Sequence, residues 1–220
     1  MQQQPASIPE NYKGAQSATT YSVKVADSAG ADWLFEKAKR NLLDVNRWHQ
    51  LAGSSTARFK VIDENNRETN EPAKEGNYLR INIPVVPKTG AGHGFDWVRV
   101  EKIEEIREAG YRFIGMLVRP CHPPFEKQEV AHFFSPHATS TFCVERKGKK
   151  IKAAVYGRNE NPNTRVHTIL ARLRNMLIAL GAMIGLNKPQ WRSLVKGWLR
   201  HTSPSFSPLR TAEETQRAAE

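Results

Sequence analysis

The chain has 220 residues, a net charge of +11 and an apolar fraction of 39%. This length can bury one sizeable core, and the composition is that of a globular protein with polar ends rather than of a disordered one. Two cysteines, Cys121 and Cys143, are too few for a disulfide framework. No apolar run reaches about 18 residues and the first residues carry no secretory signal, so we expect a cytoplasmic protein without a membrane-spanning helix.

The positive charge is concentrated in one part of the chain. Residues 145–210 contain 14 Lys and Arg residues against 2 Asp and Glu, whereas residues 1–144 contain 18 against 17. A one-sided basic surface can attract nucleic acid, anionic lipid or acidic ligands, and it can also serve only to keep the protein soluble. No nucleic-acid-binding motif accompanies the charge, so we expect no nucleic-acid partner. An anionic membrane surface stays open as a partner.

The chain begins with polar residues and continues with a strand and a helix. Residues 1–18 are rich in Gln, Pro, Ser and Ala without periodicity, so we expect a flexible N-terminal arm. Apolar and polar residues alternate over 20–25, which predicts a strand. From Ala31 to about Leu51 apolar residues fall on one side of a helix, and Gly53 ends it.

The middle of the chain predicts about six more strands, which makes about seven in all. Their connections are mostly short and local, so the sheet should be mostly antiparallel. A four-residue loop, Arg107–Gly110, and a two-residue turn, Lys147-Gly148, are predicted to close two hairpins. These predicted strands cover residues 58–63, 77–84, 95–106, 111–118, 139–146 and 149–158.

A long amphipathic helix is predicted over Arg165–Ile184. Asn161–Thr164 is a helix-start signal, because Asn and Thr side chains cap helix N-termini. Apolar residues then recur at spacings of three and four, and Gly185 ends the pattern. An amphipathic helix must bury its apolar stripe, so this helix should pack against the apolar face of the sheet.

A shorter basic helix and a polar tail follow. The helix is predicted within residues 187–202, with Pro189 in its first turn, and residues 203–220 are expected to be disordered. Basic residues beside tryptophan are typical of a helix at a membrane surface, while the same stripe could also dock on its own domain or on a partner. The expected membrane- or partner-facing residues are Trp191, Arg192, Lys196 and Trp198.

Taken together, these elements resemble a known architecture. The order is strand, helix, six strands and long helix, and the first helical segment closes with Asp44–Leu51, whose sequence is DVNRWHQL. This is similar to the START-like helix-grip superfamily, which includes polyketide cyclases, plant pathogenesis-related lipid binders and lipid-transfer domains. The resemblance implies an α+β fold over residues 19–186, in which a curved antiparallel sheet of about seven strands wraps around the long C-terminal helix. The short basic helix is an addition to that pattern.

The resemblance also implies a ligand cavity between the sheet and the long helix. We therefore expect a protein that binds an apolar or amphipathic small molecule without a cofactor. We expect no metal either, because Cys121 and the nearby histidines match no metal-binding spacing. Two alternatives stay open. One is a cyclase- or hydratase-type enzyme that uses Arg99 with Glu101, or Tyr156, in the same cavity. The other is a membrane-peripheral or partner-binding module that uses the basic C-terminal helix.

The expected cavity residues come mainly from the hairpin at 95–118. If Ile106 pairs with Tyr111, an apolar wall on one strand shares a face with an Arg and a Glu on the other, which suits an oriented ligand. Alternatively, this face is the solvated outer one, and Arg99 and Glu101 form a surface pair. The candidate ligand-binding residues are Trp97, Arg99, Glu101, Met116, Tyr156 and Met176.

Overall fold

An eight-stranded antiparallel sheet forms the centre of the described residues. The computed structural model describes residues 4–53, 57–82, 95–124, 137–160 and 188–200. In chain order the strands are β1 Ala15–Lys24, β2 Arg58–Ile62, β3 Glu68–Thr69, β4 Tyr78–Asn82, β5 Asp96–Glu108, β6 Tyr111–Pro120, β7 Thr139–Lys147 and β8 Lys150–Glu160. Across the sheet they lie in the order β1-β8-β7-β6-β5-β4-β2-β3. The seven predicted strands are all present, and the predicted α+β class with an antiparallel sheet is confirmed.

Three helices accompany the sheet in the described part of the chain. They are α1 Ser28–Leu43, α2 Trp48–Ala52 and α3 Lys188–Trp198, and a 3-10 turn, Val45–Arg47, joins the first two. The predicted helix over 31–51 is therefore divided, because the backbone at Asp44 leaves the helical region with φ −80° and ψ 67°. Asp27 caps α1 by accepting a hydrogen bond of 2.7 Å from the amide of Gly30.

Both predicted hairpins form, but their turns differ from the prediction. Glu108 pairs with Tyr111, so a two-residue turn ending in Gly110 replaces the predicted four-residue loop. Lys147 pairs with Lys150, which moves the second turn one residue along the chain to Gly148-Lys149. The φ angles of Gly110 and Gly148 are 71° and 56°. Glycine reaches this left-handed region at little cost, so the position of each glycine in the sequence determines where its turn forms.

The helices cover one face of the sheet, which we call the inner face. Leu194, Val195 and Trp198 of α3 are buried in the same apolar core as α1 and the inner-facing strand residues. The indole of Trp198 lies 5.5 Å from that of Trp48, centroid to centroid. The apolar stripe of the basic C-terminal helix is therefore docked on its own domain.

The segment that carries the family resemblance joins the helices to the sheet. The indole N–H of Trp48 donates to the carbonyls of Asn41 and Leu42, at 3.1 Å each. The side chain of Asn46 donates to the carbonyl of Thr69 and accepts from the amide of Val61, both at 3.0 Å. Asn46 is half-buried, and its side chain links the turn to β2 and β3 while its polar groups stay hydrogen-bonded.

The N-terminal segment packs on the other face of the sheet, which we call the outer face. The amide of Ser7 donates to the carboxylate of Glu104 at 2.8 Å, and the carbonyl of Ser7 accepts from the hydroxyl of Thr141 at 2.5 Å. Ser7 is fully buried against Gly115, where an added Cβ would collide with the Ser7 hydroxyl and with the Phe113 ring. Ser7 can therefore pack at this position because Gly115 has no side chain.

A second set of contacts holds the segment further along. The side chain of Asn159 accepts from the amides of Tyr12 and Lys13, at 2.9 and 3.1 Å, and donates to the carbonyl of Glu10. The structure thus corrects the expectation of a flexible arm over 1–18, since residues 6–13 make these contacts and β1 already begins at Ala15. Backbone groups that find partners on the sheet order a segment whose sequence has no periodicity. The predicted long helix, Arg165–Ile184, and the predicted tail, 203–220, lie outside the described residues.

Close packing of α3 on α2 makes Gly197 a sensitive position. A Cβ there would collide with the carbonyl oxygen of Leu51 and lie 2.9 Å from its carbonyl carbon. Although alanine favours a helix by about 1 kcal/mol over glycine, we expect Gly197→Ala to lower the free energy of unfolding by about 1–3 kcal/mol, because the two helices must separate. Urea denaturation measures this change. Arg192→Ala, an exposed change in the same helix, serves as the control, and a Gly197→Ala protein at least as stable as the parent would contradict the packing argument.

Candidate functional site

A β-bulge in β5 decides which of its side chains face the helices. Val100 pairs with Val118, whereas Lys102 pairs with Leu117, so one extra residue is inserted between them. Val98, Val100 and Ile103 consequently all belong to the inner-face core. The sequence prediction places Trp97, Arg99 and Glu101 on one face with an apolar wall, which assumes unbroken alternation along this strand. The bulge interrupts that alternation, so the structure corrects the prediction.

Trp97 and Arg99 lie on the outer face instead of in a cavity. Their cross-strand partners in β4 are Arg80 and Tyr78, which alternate with the core residue Leu79. Glu101 pairs with Arg119 through a hydrogen bond of 2.6 Å, rather than with Arg99. Arg99 and Glu101 are thus on the outer face, as in the alternative to the predicted cavity, but with different partners.

The remaining predicted cavity residues are separated from one another. Met116 is fully buried on the inner face, between Ile103 of β5 and Phe142 of β7. Tyr156 is on the outer face, where it packs with Ile8 against a small second apolar cluster. Met176 lies outside the described residues. The predicted polar groups of an enzyme cavity, Arg99 with Glu101 or Tyr156, therefore do not face Met116.

The four residues that were expected at a membrane or partner surface are also divided. Trp198 is buried in the core, which removes it from any surface, and the ring of Trp191 packs at 5.5 Å on that of Phe142. Arg192 is exposed, and the ammonium of Lys196 sits 5.3 Å from the centre of the Tyr21 ring. Both tryptophans face the domain because packing on the inner face removes their apolar surface from water.

One end of the inner face carries a network of paired charges. Arg112 and Arg146 are buried there, and both contact Asp32 of α1, at 3.6 and 2.8 Å. Arg112 also pairs with Glu36 and, at 3.6 Å, with Glu105. Buried charges are tolerated when they are paired, so this network fixes α1 on the sheet. The network has a structural role, because its acids and bases are paired with one another.

The opposite end of the inner face carries a carboxyl group of a different kind. Asp96 pairs with Ile81, and two residues along the strand Val98 pairs with Leu79. The side chain of Asp96 therefore faces the apolar side of the sheet, next to inner-face residues of the core. No salt bridge or hydrogen bond of the Asp96 carboxylate is found within the described residues.

Burial has a measurable effect on this carboxyl group. It raises the pKa of Asp96 from 3.8 to about 6, and burial is the whole cause. A carboxyl group that titrates near this value can accept a hydrogen bond as an anion or donate one as an acid. An apolar wall that ends in one such group can orient an amphipathic molecule. We take the inner face around Asp96, Ile81 and Val98 as the candidate functional site and call it the Asp96 site.

Sequence reasoning missed Asp96, although a signal for it exists. Asp96, Val98 and Val100 alternate in phase, with Asp96 as the only polar member. The opposite phase, Trp97 and Arg99, drew attention because it mixes an aromatic ring with charge. The in-phase carboxyl group would have been found by asking which polar residue interrupts an apolar strand face.

The chain is similar to several solved structures at low sequence identity. No family model and no curated protein matches the sequence. Among solved structures, the ZhuI aromatase/cyclase from Streptomyces sp. R1128 is 11% identical with a TM-score of 0.45, and the match covers 87% of this chain and 98% of that one. Truncated norcoclaurine synthase from Thalictrum flavum is 12% identical with a TM-score of 0.39, covering 88% and 100%.

A third similar structure is the major latex-like protein 151 of Panax ginseng, at 11% identity and a TM-score of 0.36, covering 87% of this chain and 100% of that one. The function proposed below rests on the residues of this chain. In the described residues no helix is long and apolar enough to cross a membrane.

The raised pKa of Asp96 predicts a stability effect that does not depend on any ligand. The folded protein keeps a proton on Asp96 that the unfolded chain loses as pH rises from 3.8 to about 6, so ionisation at Asp96 lowers stability over this interval. Asp96→Asn removes that cost. We expect the variant to gain up to about 3 kcal/mol in the free energy of unfolding at about pH 7, and to gain nothing at about pH 4. Urea denaturation at both pH values checks this.

Glu71→Gln, a change at an exposed carboxyl group, is the matched control and should alter stability little at either pH. An Asp96→Asn gain that is the same at both pH values would show that the desolvated charge is not its cause.

Proposed function

We propose that the protein binds an apolar or amphipathic small molecule at the Asp96 site, with the carboxyl group of Asp96 contacting a polar group of the ligand. The observation that carries the proposal is one half-buried carboxyl group without a charged partner among the described residues, at the end of an apolar sheet face. The charged groups at the other end of that face are paired with one another around Arg112 and Arg146.

The energetics favour a ligand with an apolar body and a hydrogen-bonding group. Contact with Ile81, Val98 and their neighbours stabilises the bound state by about 25 cal/mol for each Å² of apolar surface removed from water. A hydrogen bond to Asp96 replaces solvation that the carboxyl group has lost on folding. Such a bond is worth about 0.5–1.5 kcal/mol, and more when it involves a charge. Asp96 therefore contributes selectivity, and the apolar wall contributes affinity.

An enzyme of the cyclase or hydratase kind is a second candidate, and Asp96 is the observation that favours it. A general acid or base works best when its pKa lies near the working pH, and burial moves the pKa of Asp96 to about 6. In this version Asp96 takes the place of Arg99, Glu101 and Tyr156 as the reacting polar group, because those three lie on the outer face.

The experiment compares two probes that differ in one hydroxyl group. Binding of 2-naphthol and of naphthalene is measured by quenching of tryptophan fluorescence, which Trp48, Trp191 and Trp198 around Phe142 can report. We expect the parent protein to bind both probes and to prefer 2-naphthol by about 5-fold, corresponding to one hydrogen bond. In Asp96→Leu this preference should disappear while naphthalene still binds.

A filling substitution tests the location. Val98 is half-buried beside Asp96, and Val98→Trp should weaken both probes by about 10-fold or more, because the larger ring takes the space of the ligand. Thr20→Trp, on exposed β1, is the control for adding a tryptophan. If neither probe binds the parent protein, or if Val98→Trp binds them as well as the parent does, the inner face is not a binding site.

A further inference from the structure

The outer face carries a basic surface that the ligand-binding proposal does not use. Five basic side chains lie on neighbouring strands β2, β4, β5 and β6, and we call this group the basic outer surface. Its members are Arg58, Lys60, Arg80, Arg99 and Arg119.

The pairing register puts these residues side by side. Lys60 pairs with Arg80, and Arg99 pairs with both Tyr78 and Arg119. Directly paired residues share a face of the sheet, and neighbouring strands are about 4.8 Å apart. The basic outer surface therefore spans four strands, or about 14 Å.

Aromatic rings support two of the arginines. The guanidinium of Arg80 lies 4.7 Å from the centre of the Phe95 ring, and that of Arg99 lies 5.9 Å from the centre of the Tyr78 ring. A guanidinium held over a ring presents its N–H groups at its edge, and such groups match phosphate oxygens. Arg80 donates one of these groups to Glu68. Its other flat side can stack on a nucleobase.

Neutralisation of the surface by acids is incomplete. Glu68 pairs with Arg80 at 2.5 Å and with Lys60 at 4.0 Å, and Glu101 pairs with Arg119. No carboxylate of the described residues lies within 4 Å of Arg58 or Arg99, both of which are exposed. Among the described residues, two paired acids against five bases leave an excess of positive charge on this surface. The surface is thus complementary to a polyanion.

A neighbouring part of the outer face is occupied by the N-terminal segment. Ser7 and Ile8 cover the part formed by Glu104, Gly115 and Thr141. The amides of Ser7 and Ala6 lower the pKa of Glu104 although burial by itself would raise it, so this acid is engaged by the N-terminal segment. The N-terminal segment therefore lies beside the basic outer surface. It engages the carboxylate of Glu104, which is then not directed at an anionic partner.

We propose that the basic outer surface binds single-stranded nucleic acid, with Arg58 and Arg99 contacting phosphates and the ring-supported guanidinium of Arg80 stacking on a base. Arginines on aromatic rings suit a strand whose bases are exposed. An anionic membrane suits the surface less, because its aromatic ring at Trp97 is buried and the large exposed apolar side chains of the described residues, Tyr12 and Trp33, lie elsewhere. This partner contradicts the expectation from sequence, where no nucleic-acid-binding motif is present.

The test measures binding of the full chain to a fluorescein-labelled oligouridylate of about 20 nucleotides by fluorescence anisotropy, at about 50 mM salt. We expect binding, and we expect Arg58→Gln/Arg99→Gln to weaken it by about 10-fold. Each lost phosphate contact should reduce the slope of log K against log salt by about 0.7, so the double variant should lose about 1.4.

Arg40→Gln/Arg192→Gln is the matched control, because it removes the same charge from exposed positions on helices α1 and α3. Circular dichroism melting confirms that both double variants fold. If the control weakens binding as much as Arg58→Gln/Arg99→Gln does, overall charge and not the basic outer surface is responsible, and the proposal is overturned.

Two further arms identify the partner. A duplex RNA of the same length should bind less tightly, because its bases are not available for stacking; equal or tighter binding would overturn the single-strand assignment. Vesicles with phosphatidylserine should bind less well than the oligouridylate, and vesicle binding without oligouridylate binding would assign the surface to a membrane and overturn the proposal. The absence of any anisotropy change up to about 100 μM protein would also overturn it. None of these results depends on binding at the Asp96 site.

Discussion

The arrangement of the helices depends on the indole of Trp48. Its ring contacts Phe59 of β2 at 5.1 Å, Phe142 of β7 at 4.6 Å and Trp198 of α3 at 5.5 Å. Its N–H is satisfied by two carbonyls at the end of α1. One side chain thus joins both helical regions to the inner face of the sheet, and truncating a buried ring of this size typically costs about 3–5 kcal/mol.

The position of Trp48 decides how the inner face is divided. The aromatic cluster and α1 occupy its centre and the end that carries Arg112 and Arg146, where charges are paired with Asp32 and Glu36. The other end holds Asp96, whose carboxyl group is desolvated and has no charged partner among the described residues. A polar group that folding has left without compensation is where a ligand gains the most from one hydrogen bond.

A single bulge in β5 determines which of its side chains lie on each face of the sheet. Without the extra residue between Val100 and Lys102, side chains would alternate unchanged along β5. Ile103 would then face the opposite side of the sheet from Asp96 and Val98. With it, Asp96, Val98 and Ile103 all face inward, although Ile103 is out of phase with the other two. Arg99 and Glu101 meet Tyr78 and Arg119 on the outer face. A bulge of this kind leaves no reliable trace in the alternation of polar and apolar residues.

Much of the fold could be predicted because alternation and helical spacing are local properties. The seven strands, the helix that follows β1 and a short C-terminal helix all follow from residues near one another in the chain. The candidate site could not be predicted in the same way. Which face Trp97 or Asp96 takes depends on a bulge and on strand partners. The basic outer surface likewise brings together five basic residues, from Arg58 to Arg119, that are far apart in the chain. The sequence by itself thus determined the elements, because their periodicities are local, and only the tertiary structure decided which polar groups meet, because strand register and face are set by contacts between distant residues.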